Sequence, residues 1–440
     1  MSLTKDSLAI AIEALSWMAY ANMGERAALL KAADEIKVAD SSELRQAHRI
    51  VMETSRFQNK LDRLITQVIP EKRFTETPHG IRSLLRIVTY SSYVDGAREK
   101  EIEKIMHWAR NTLGWKELRP YEESIAQLAT GRVELHADRL AESERVAVET
   151  CHLSWYVDRL MHIFGRPLAL EILRRDLQPL PTYIRTNTLR ANNEDELAQI
   201  LRGAKVKGVK GAFRLERNPA ARTKLLATGQ IVVQDLASIV AGLVASPRPG
   251  QMVLDVCASP GNKTTHLAAQ MRNEGQVYSI ELSPSRIPQW RREIVRTGCS
   301  IAQLIRADAR MLPVNGKFDL VLVDPPCSNS GVFARNPAAK WEMTRGKVRE
   351  LSLRQTAILQ ASSRHVNDNG ILVYCTCSIL PEENEYVLET FLKKNTDFRI
   401  VPQNPFIGSA GLRGFNECQR FYSHIHECNG YFIGKMRREA

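Results

Sequence analysis

Apolar positions follow a helical period through the first part of the chain, then give way to short apolar runs separated by helical stretches. Residues 1 to about 178 read as helix throughout, beginning with the apolar segment Leu8 to Tyr20. Residues 43–69 (ELRQAHRIVMETSRFQNKLDRLITQVI) place Ala47, Ile50, Val51, Leu61, Leu64 and Ile65 on one buried face. Further helices are predicted at about 80–96, 98–115 and 120–129, then over 140–177, with no alternating strand pattern between them.

The texture changes after PLPTYIRTNTLR (179–190). Between 202 and 224 the chain carries Arg202, Lys205, Lys207, Lys210, Arg214, Arg217, Arg222 and Lys224 against a single acid, Glu216. With its glycines and proline this stretch reads as part of a small α/β module, its charge serving either phosphate contact or a plain solvated surface. From about 232 the pattern is strand and helix in alternation. The apolar runs are MVLDVCA (252–258), QVYSIEL (276–282), IAQLIRAD (301–308), FDLVLVDPP (318–326), GILVYCTCS (370–378) and GYFIGKMRR (430–438). Helices are expected between them at 262–272, 284–297, 345–366 and 382–395. Continuous apolar strands separated by helices predict an α/β fold with a mostly parallel, doubly wound sheet.

A length of 440 residues suits two or three domains of ~150 residues each. The pattern divides them at 1–140 (all helical), 141–230 (small α/β module) and 231–440 (doubly wound domain). No apolar run approaches the ~18 residues of a membrane span, and the N-terminal segment has acids within its apolar stretch and no small-residue cleavage site. A cytoplasmic, monomeric protein with no membrane partner is expected. The net charge of +12 favours a polyanionic partner, nucleic acid first, over a merely solubilising surface. Eight scattered cysteines do not form a disulfide pattern, so free thiols in a reducing compartment are expected.

Strand 252–258 runs into ASPGNKTTHL, a glycine-bearing turn that lets backbone N–H groups meet an anionic ligand at a helix N-terminus. It is neither GxGxxG nor a P-loop, because Asn262 separates Gly261 from Lys263. Glu281 closes the next strand about 20 residues on, where an acid can accept from a ribose diol. Asp308 closes the third and could accept from an adenine amino group. Helix capping and surface charge are the plain alternatives for both acids.

DPPCSNSG (324–331) ends the fourth strand and YCTCS (374–378) the fifth. Neighbouring parallel strands would bring Cys327 and Cys377 into one crevice beside Asp324. Such a pair suits nucleophilic catalysis by a thiolate; inert burial is the plain alternative, and the one expected for Cys151, Cys299 and Cys375. Cys418, His424, His426 and Cys428 also lie close in sequence, but C-x5-H-x-H-x-C matches none of the usual zinc spacings, and no metal is expected.

DVCASPGNKT, DPPCSNSG and TCS, in this order, resemble motifs I, IV and VI of the RsmB/NSUN family of RNA 5-methylcytosine methyltransferases. RTNTLR (185–190), QDLAS (234–238), KW (340–341) and GYFIGKMRR agree with it, and the likeness covers roughly 150–438. More loosely, AHRIVMETSRFQNKLDRLI and GIRSLLRIVTYSSYV resemble the NusB-like RNA-binding domain that precedes RsmB-type enzymes. The resemblance implies a Rossmann-like methyltransferase domain acting on RNA with S-adenosyl-L-methionine. Cys377 would be the nucleophile that adds to cytosine carbon 6, and Cys327 would assist breakdown of the adduct. Asp324 would serve ring nitrogen 3 if burial raises its pKa, with Lys263 holding Asp324 or the base. Cofactor contacts are implied for Cys257, Ala258, Ser259, Pro260, Gly261, Asn262, Lys263, Glu281, Arg286, Asp308 and Asp324.

The chain departs from the family pattern AAPGGKT at Ser259 and Asn262; asparagine tolerates the left-handed backbone glycine would supply. Ala338 stands where an acid is usual and Ser423 where a proline is. Ribosomal RNA is the favoured substrate by family analogy, with transfer RNA the alternative. A DNA cytosine methyltransferase would use the cysteine after the fourth strand and not need TCS. A non-catalytic ribosome-assembly protein would be expected to have lost a catalytic cysteine.

Overall fold

A computed structural model describes residues 3–135, 140–191, 194–201, 203–215 and 219–440. The chain divides into two compact units, residues 1–177 with 336–342, and residues 178–335 with 343–440.

Regular structure in the first unit is helical among the described residues. Helix Lys5–Ala21 is apolar nearly all round its first turns and is therefore buried, with Leu8, Ile10, Ala11, Ile12 and Leu15 in the core. The Thr4 side chain accepts from the Ser7 N–H and starts the helix. The 43–69 pattern becomes two helices, Ser41–Arg56 and Gln58–Ile65, and all six positions expected on its buried face are buried. The 140–177 stretch breaks into Glu142–Thr150, Ser154–Phe164 and Arg166–Arg175. The breaks fall at Cys151 (φ 57°) and Gly165 (φ 75°), whose positive φ no right-handed helix accommodates. Segment 336–342 belongs to this unit: Lys340 Nζ donates to the Arg56 carbonyl at 2.8 Å and Trp341 Nε1 to the Ser55 carbonyl at 2.6 Å. Burial pushes Lys340 down to about 8.

The second unit contains two sheets. The small one joins β1 (Tyr183–Thr186), β2 (Ala204–Lys205), β3 (Ala212–Arg214) and β4 (Ile231–Val233) in the order β2-β3-β1-β4, all antiparallel. Helices Glu194–Leu201 and Pro219–Ala227 accompany it. The large sheet contains β5 (Met252–Val256), β6 (Gln276–Glu281), β7 (Ala302–Arg306), β8 (Phe318–Val323) and β9 (Val366–Thr376). After them come β10 (Phe398–Ile400), β11 (Ser409–Ala410), β12 (Gln419–Phe421) and β13 (Tyr431–Arg438). The order is β11-β12-β13-β9-β8-β5-β6-β7, with β10 also on β13.

Strands β5 to β9 pair in parallel, and β13 lies antiparallel on β9 with Phe432 opposite Thr376. All six predicted apolar runs are strands, and the parallel core is as expected. Helix Leu236–Ala245 was not anticipated; it is apolar all round, so no amphipathic stripe marks it, and Ile239, Val240 and Val244 are buried under the sheet. Strand order reverses between β5 and β8, so a ligand crevice opens beyond their carboxyl ends. No helix among the described residues is long and apolar enough to cross a membrane.

Candidate active site

The first wall of the crevice is the turn after β5. Cys257 (φ 66°) and Gly261 (φ 104°) adopt left-handed backbone, and helix Asn262–Gln270 starts directly after Gly261. Glycine suits position 261 chiefly for its φ, and a Cβ there would also press on Trp290 Cδ1 at 3.2 Å. Asn262 is the first helical residue and has no positive φ, so the left-handed tolerance invoked for it from sequence is not used; Gly261 supplies the turn. Beneath the turn, buried Asp255 accepts from Thr264 Oγ1 at 2.5 Å, and burial raises its pKa to about 7.

Glu281 ends β6 and is buried. Its Oε1 accepts from the Ser283 N–H at 2.8 Å, while Oε2 receives no hydrogen bond and lies 3.5 Å from Arg286 Nη1. Arg286 also donates to the Ser259 carbonyl, tying the end of β6 to the turn after β5. Asp308, after β7, accepts from the Arg310 guanidinium at 2.6 Å, and these hydrogen bonds lower its pKa to about 2. Cys257, Glu281, Arg286 and Asp308 line one pocket, together with Ile280, Leu282, Ala307, Pro326, Arg354 and Ile358. Pro326 belongs to the DPPC motif; the other five carried no sequence signal of their own and join the pocket because they adjoin the strand ends or lie on helix Arg345–Ser363.

The second wall is formed by β8 and β9. Asp324 follows β8, and its Oδ2 accepts from Lys263 Nζ at 2.6 Å. Its Oδ1 faces Cys375 Sγ at 3.7 Å. Burial disfavours the Lys263 ammonium, but Asp324, Cys375 and Asp255 outweigh it and raise the pKa above the ordinary lysine value. Lys263 thus holds Asp324, one of the two roles the resemblance implied for that lysine. Cys375, read from sequence as inert core, is buried but adjoins this pair, and burial with Asp324 pushes its thiol up.

Cys327 Sγ and Cys377 Sγ are 3.1 Å apart. The Cys377 hydrogen bond and burial both hold Cys327 well above the ordinary thiol range. Beside the two thiols stands Asn329 (φ 59°), whose Oδ1 lies 3.1 Å from Cys377 Sγ and 3.9 Å from Cys327 Sγ. The loop carrying them is fixed from below by buried Glu383, which accepts from Ser328 N–H at 2.8 Å, Ser328 Oγ at 2.5 Å and Gln355 Nε2 at 2.9 Å. Gly331 N–H donates to the Cys377 carbonyl and Gly430 N–H to the Gly331 carbonyl. Asn329 and Glu383 were not singled out from sequence. An asparagine inside DPPCSNSG is the only signal that could have found the first, and nothing local marks the second.

Other sequence candidates fall elsewhere. Lys205 pairs with Asp195 and Arg214 with Glu427, so two cations of the basic stretch are matched by carboxylates. Arg202, Glu216, Arg217 and the Arg222 side chain lie outside the described residues. Cys418 and Cys428 are buried, and His426 Nδ1 accepts from the Tyr422 N–H at 3.0 Å.

A parallel sheet with a crevice of acids at successive strand ends and paired thiols defines a Rossmann-like methyltransferase fold. The crystal structure of PH0851 superimposes with a TM-score of 0.86 at 24% identity, covering 100% of both chains. The structure of NSun6 from Pyrococcus horikoshii with SFG covers 64% of this chain and 97% of that one (TM-score 0.60, 23% identity). The model of the family 16S rRNA methyltransferase RsmB/F matches residues 242–437. Ribosomal RNA small subunit methyltransferase B of Escherichia fergusonii is 31% identical over 297 residues, 64% of this chain and 68% of that protein. The chain therefore belongs to the RsmB/F methyltransferase family. The 28S rRNA (cytosine-C(5))-methyltransferase of Mus musculus is 31% identical over 304 residues, 64% of this chain. The chain spans 38% of that relative's length. The tRNA (cytosine(72)-C(5))-methyltransferase of Pyrococcus horikoshii is 34% identical over 244 residues, 55% of this chain and 61% of that protein.

Proposed function

We propose that the protein is an S-adenosyl-L-methionine-dependent RNA (cytosine-5) methyltransferase. Ribosomal RNA is its favoured substrate, as for the rRNA-modifying relatives; a tRNA-modifying relative keeps transfer RNA as the second reading. The observation that carries the proposal is the 3.1 Å contact between Cys327 and Cys377, beside the Lys263–Asp324 pair and at the carboxyl ends of adjacent parallel strands.

The pocket fits the cofactor chemically. Glu281 Oε2 is a buried acceptor with no hydrogen bond from the protein, suited to a ribose hydroxyl, and Asp308 offers acceptors at the far strand end. The start of helix Asn262–Gln270 would meet the carboxylate of the cofactor, with Arg286 beside Glu281. When bound, S-adenosylmethionine supplies an electrophilic methyl group.

The chain's own residues do the rest. Carbon 5 of cytosine is too weak a nucleophile until a thiolate adds to carbon 6. The resemblance of TCS to motif VI assigns Cys377 as the attacking thiolate and leaves Cys327, 3.1 Å away, to assist breakdown of the adduct. As the Cys377 S–C6 bond forms, the C5–C6 π pair moves into the ring, and the proton on Lys263, aligned by Asp324, serves ring nitrogen 3. After carbon 5 is methylated, its proton passes to a base on the Cys327 side, and the proton on ring nitrogen 3 returns to Lys263. The electron pair released re-forms the C5–C6 bond and expels the Cys377 thiolate. Methyl transfer from labelled cofactor to RNA, followed by nuclease digestion, tests the reading: 5-methylcytidine is expected, and labelled product in DNA alone would refute it.

A further inference from the structure

A second cavity in the same unit, remote from the two thiols in sequence and lining, has no role in the chemistry above. It measures about 640 Å³ and is lined by β1, the loop before β3, helix Leu236–Ala245 and the far end of helix Asn262–Gln270. Three cations line it, Arg185, Lys210 and Arg272, together with the Thr186 and Thr188 hydroxyls and His266, and no acidic side chain does. Arg185 is 2% exposed, yet its partners are all neutral: Gln234 Oε1 at 3.0 Å, Thr265 Oγ1 at 3.1 Å, and the Thr186 and Asn262 carbonyls at 3.5 Å. Glu293, the carboxylate that acts on it through space, is bonded to Arg296. Buried charges are ordinarily paired, and a guanidinium lining a cavity with no carboxylate hydrogen-bonded to it calls for an anion. His266 is 5% exposed, packs against Gly242, and its Nδ1 has no hydrogen-bond partner.

We infer that this cavity is a phosphoryl-binding site, with Arg185 as its buried cation and Lys210 and Arg272 closing on the anion from the rim. The exposed Lys210 ammonium and Arg272 guanidinium supply donors for the oxygens of a phosphate, and Arg185, held by neutral partners, adds its charge from the cavity wall. The volume exceeds one phosphate and admits the attached sugar. A phosphodiester of the RNA substrate and a free phosphorylated small molecule share this chemistry. The first source rests on the RNA reading above; the site itself does not.

Lys210 and Arg272 are exposed, so Lys210→Ala/Arg272→Ala removes the rim charge without disturbing the core. Thermal unfolding is followed with inorganic phosphate and pyrophosphate against chloride of equal ionic strength. Wild type should gain several degrees, the double variant should lose that gain, and Lys210→Arg/Arg272→Lys should regain it. General salting-out by phosphate would protect all variants equally, and equal protection overturns the site. RNA binding is measured over a salt series beside a control, Arg364→Ala/Lys394→Ala, that removes the same charge elsewhere in the unit. A salt slope lowered by about 0.7 per phosphate released, beyond the control, assigns the site to the RNA backbone. An unchanged slope with lost pyrophosphate protection assigns it to a free phosphoryl ligand. The pyrophosphate arm uses no methyl transfer, so failure of the methyltransferase reading leaves it standing.

Discussion

Cys327 Sγ lies 3.1 Å from Cys377 Sγ, although fifty residues separate them in the chain. The parallel pairing of β8 with β9 brings both strand ends to one edge, and the Gly331–Cys377 and Gly430–Gly331 backbone hydrogen bonds close the distance. The consequences for chemistry, pH response and stability can each be measured.

Cys377→Ala is expected to abolish methyl transfer while leaving cofactor binding intact. Cys327→Ala is expected to form the RNA adduct and fail to resolve it, giving a slower band on a denaturing gel. The reverse assignment, with adduct accumulating in Cys377→Ala, would exchange the two roles.

Lys263→Met is expected to lower kcat by ~10²–10⁴-fold through loss of the proton at ring nitrogen 3. It leaves Asp324 without its 2.6 Å partner, so Asp324→Asn in the same background should add little further loss. Single-turnover kinetics of the two single variants and the double variant check this non-additivity.

Asn329 offers its side-chain oxygen to Cys377 from a left-handed backbone. Asn329→Asp places a negative charge there and should move alkylation of Cys377 by iodoacetamide to higher pH, by about one unit or more. Asn329→Gly keeps the backbone and should cause no such displacement. A Cys327→Ala background isolates the Cys377 rate.

Asp255 has its pKa raised from 3.8 to about 7 by burial. The folded state then binds more protons than the unfolded state between these values, so this group makes stability fall as pH rises through that window. Asp255→Asn should flatten that part of the curve, read as Tm against pH from 4 to 7.

Gly331 has no room for a side chain, since a Cβ there would lie 2.0 Å from the Gly430 carbonyl oxygen. Gly331→Ala should cost about 1–3 kcal/mol and also displace Cys327. A Tm loss accompanied by unchanged adduct kinetics would mean that the loop absorbs the shift without moving the thiol.

Much of this molecule was legible from its residues. Helical spacing identified the helices up to Arg175, although the boundary read at 140 falls within the first compact unit, and the faces of 43–69 were correct because the buried stripe repeats with the helical turn. The six apolar runs were legible as strands because burial on both faces leaves them continuously apolar. The paired cysteines, Lys263 and the strand-end acids stand in short motifs, so their residue types were visible. Helix Leu236–Ala245 was not, because a segment apolar all round has no period to detect. Sequence alone thus determined which groups are present and on which strand ends. Only tertiary structure decided how they meet. It paired Asp324 with Lys263, drew Cys375 to the edge of the site, set Asn329 beside the two thiols and left Arg185 buried among neutral hydrogen-bond partners. Those outcomes depend on distances between residues far apart in the chain, and a proton's position or a charge's cost is fixed by neighbours at a few ångströms, which local pattern does not encode.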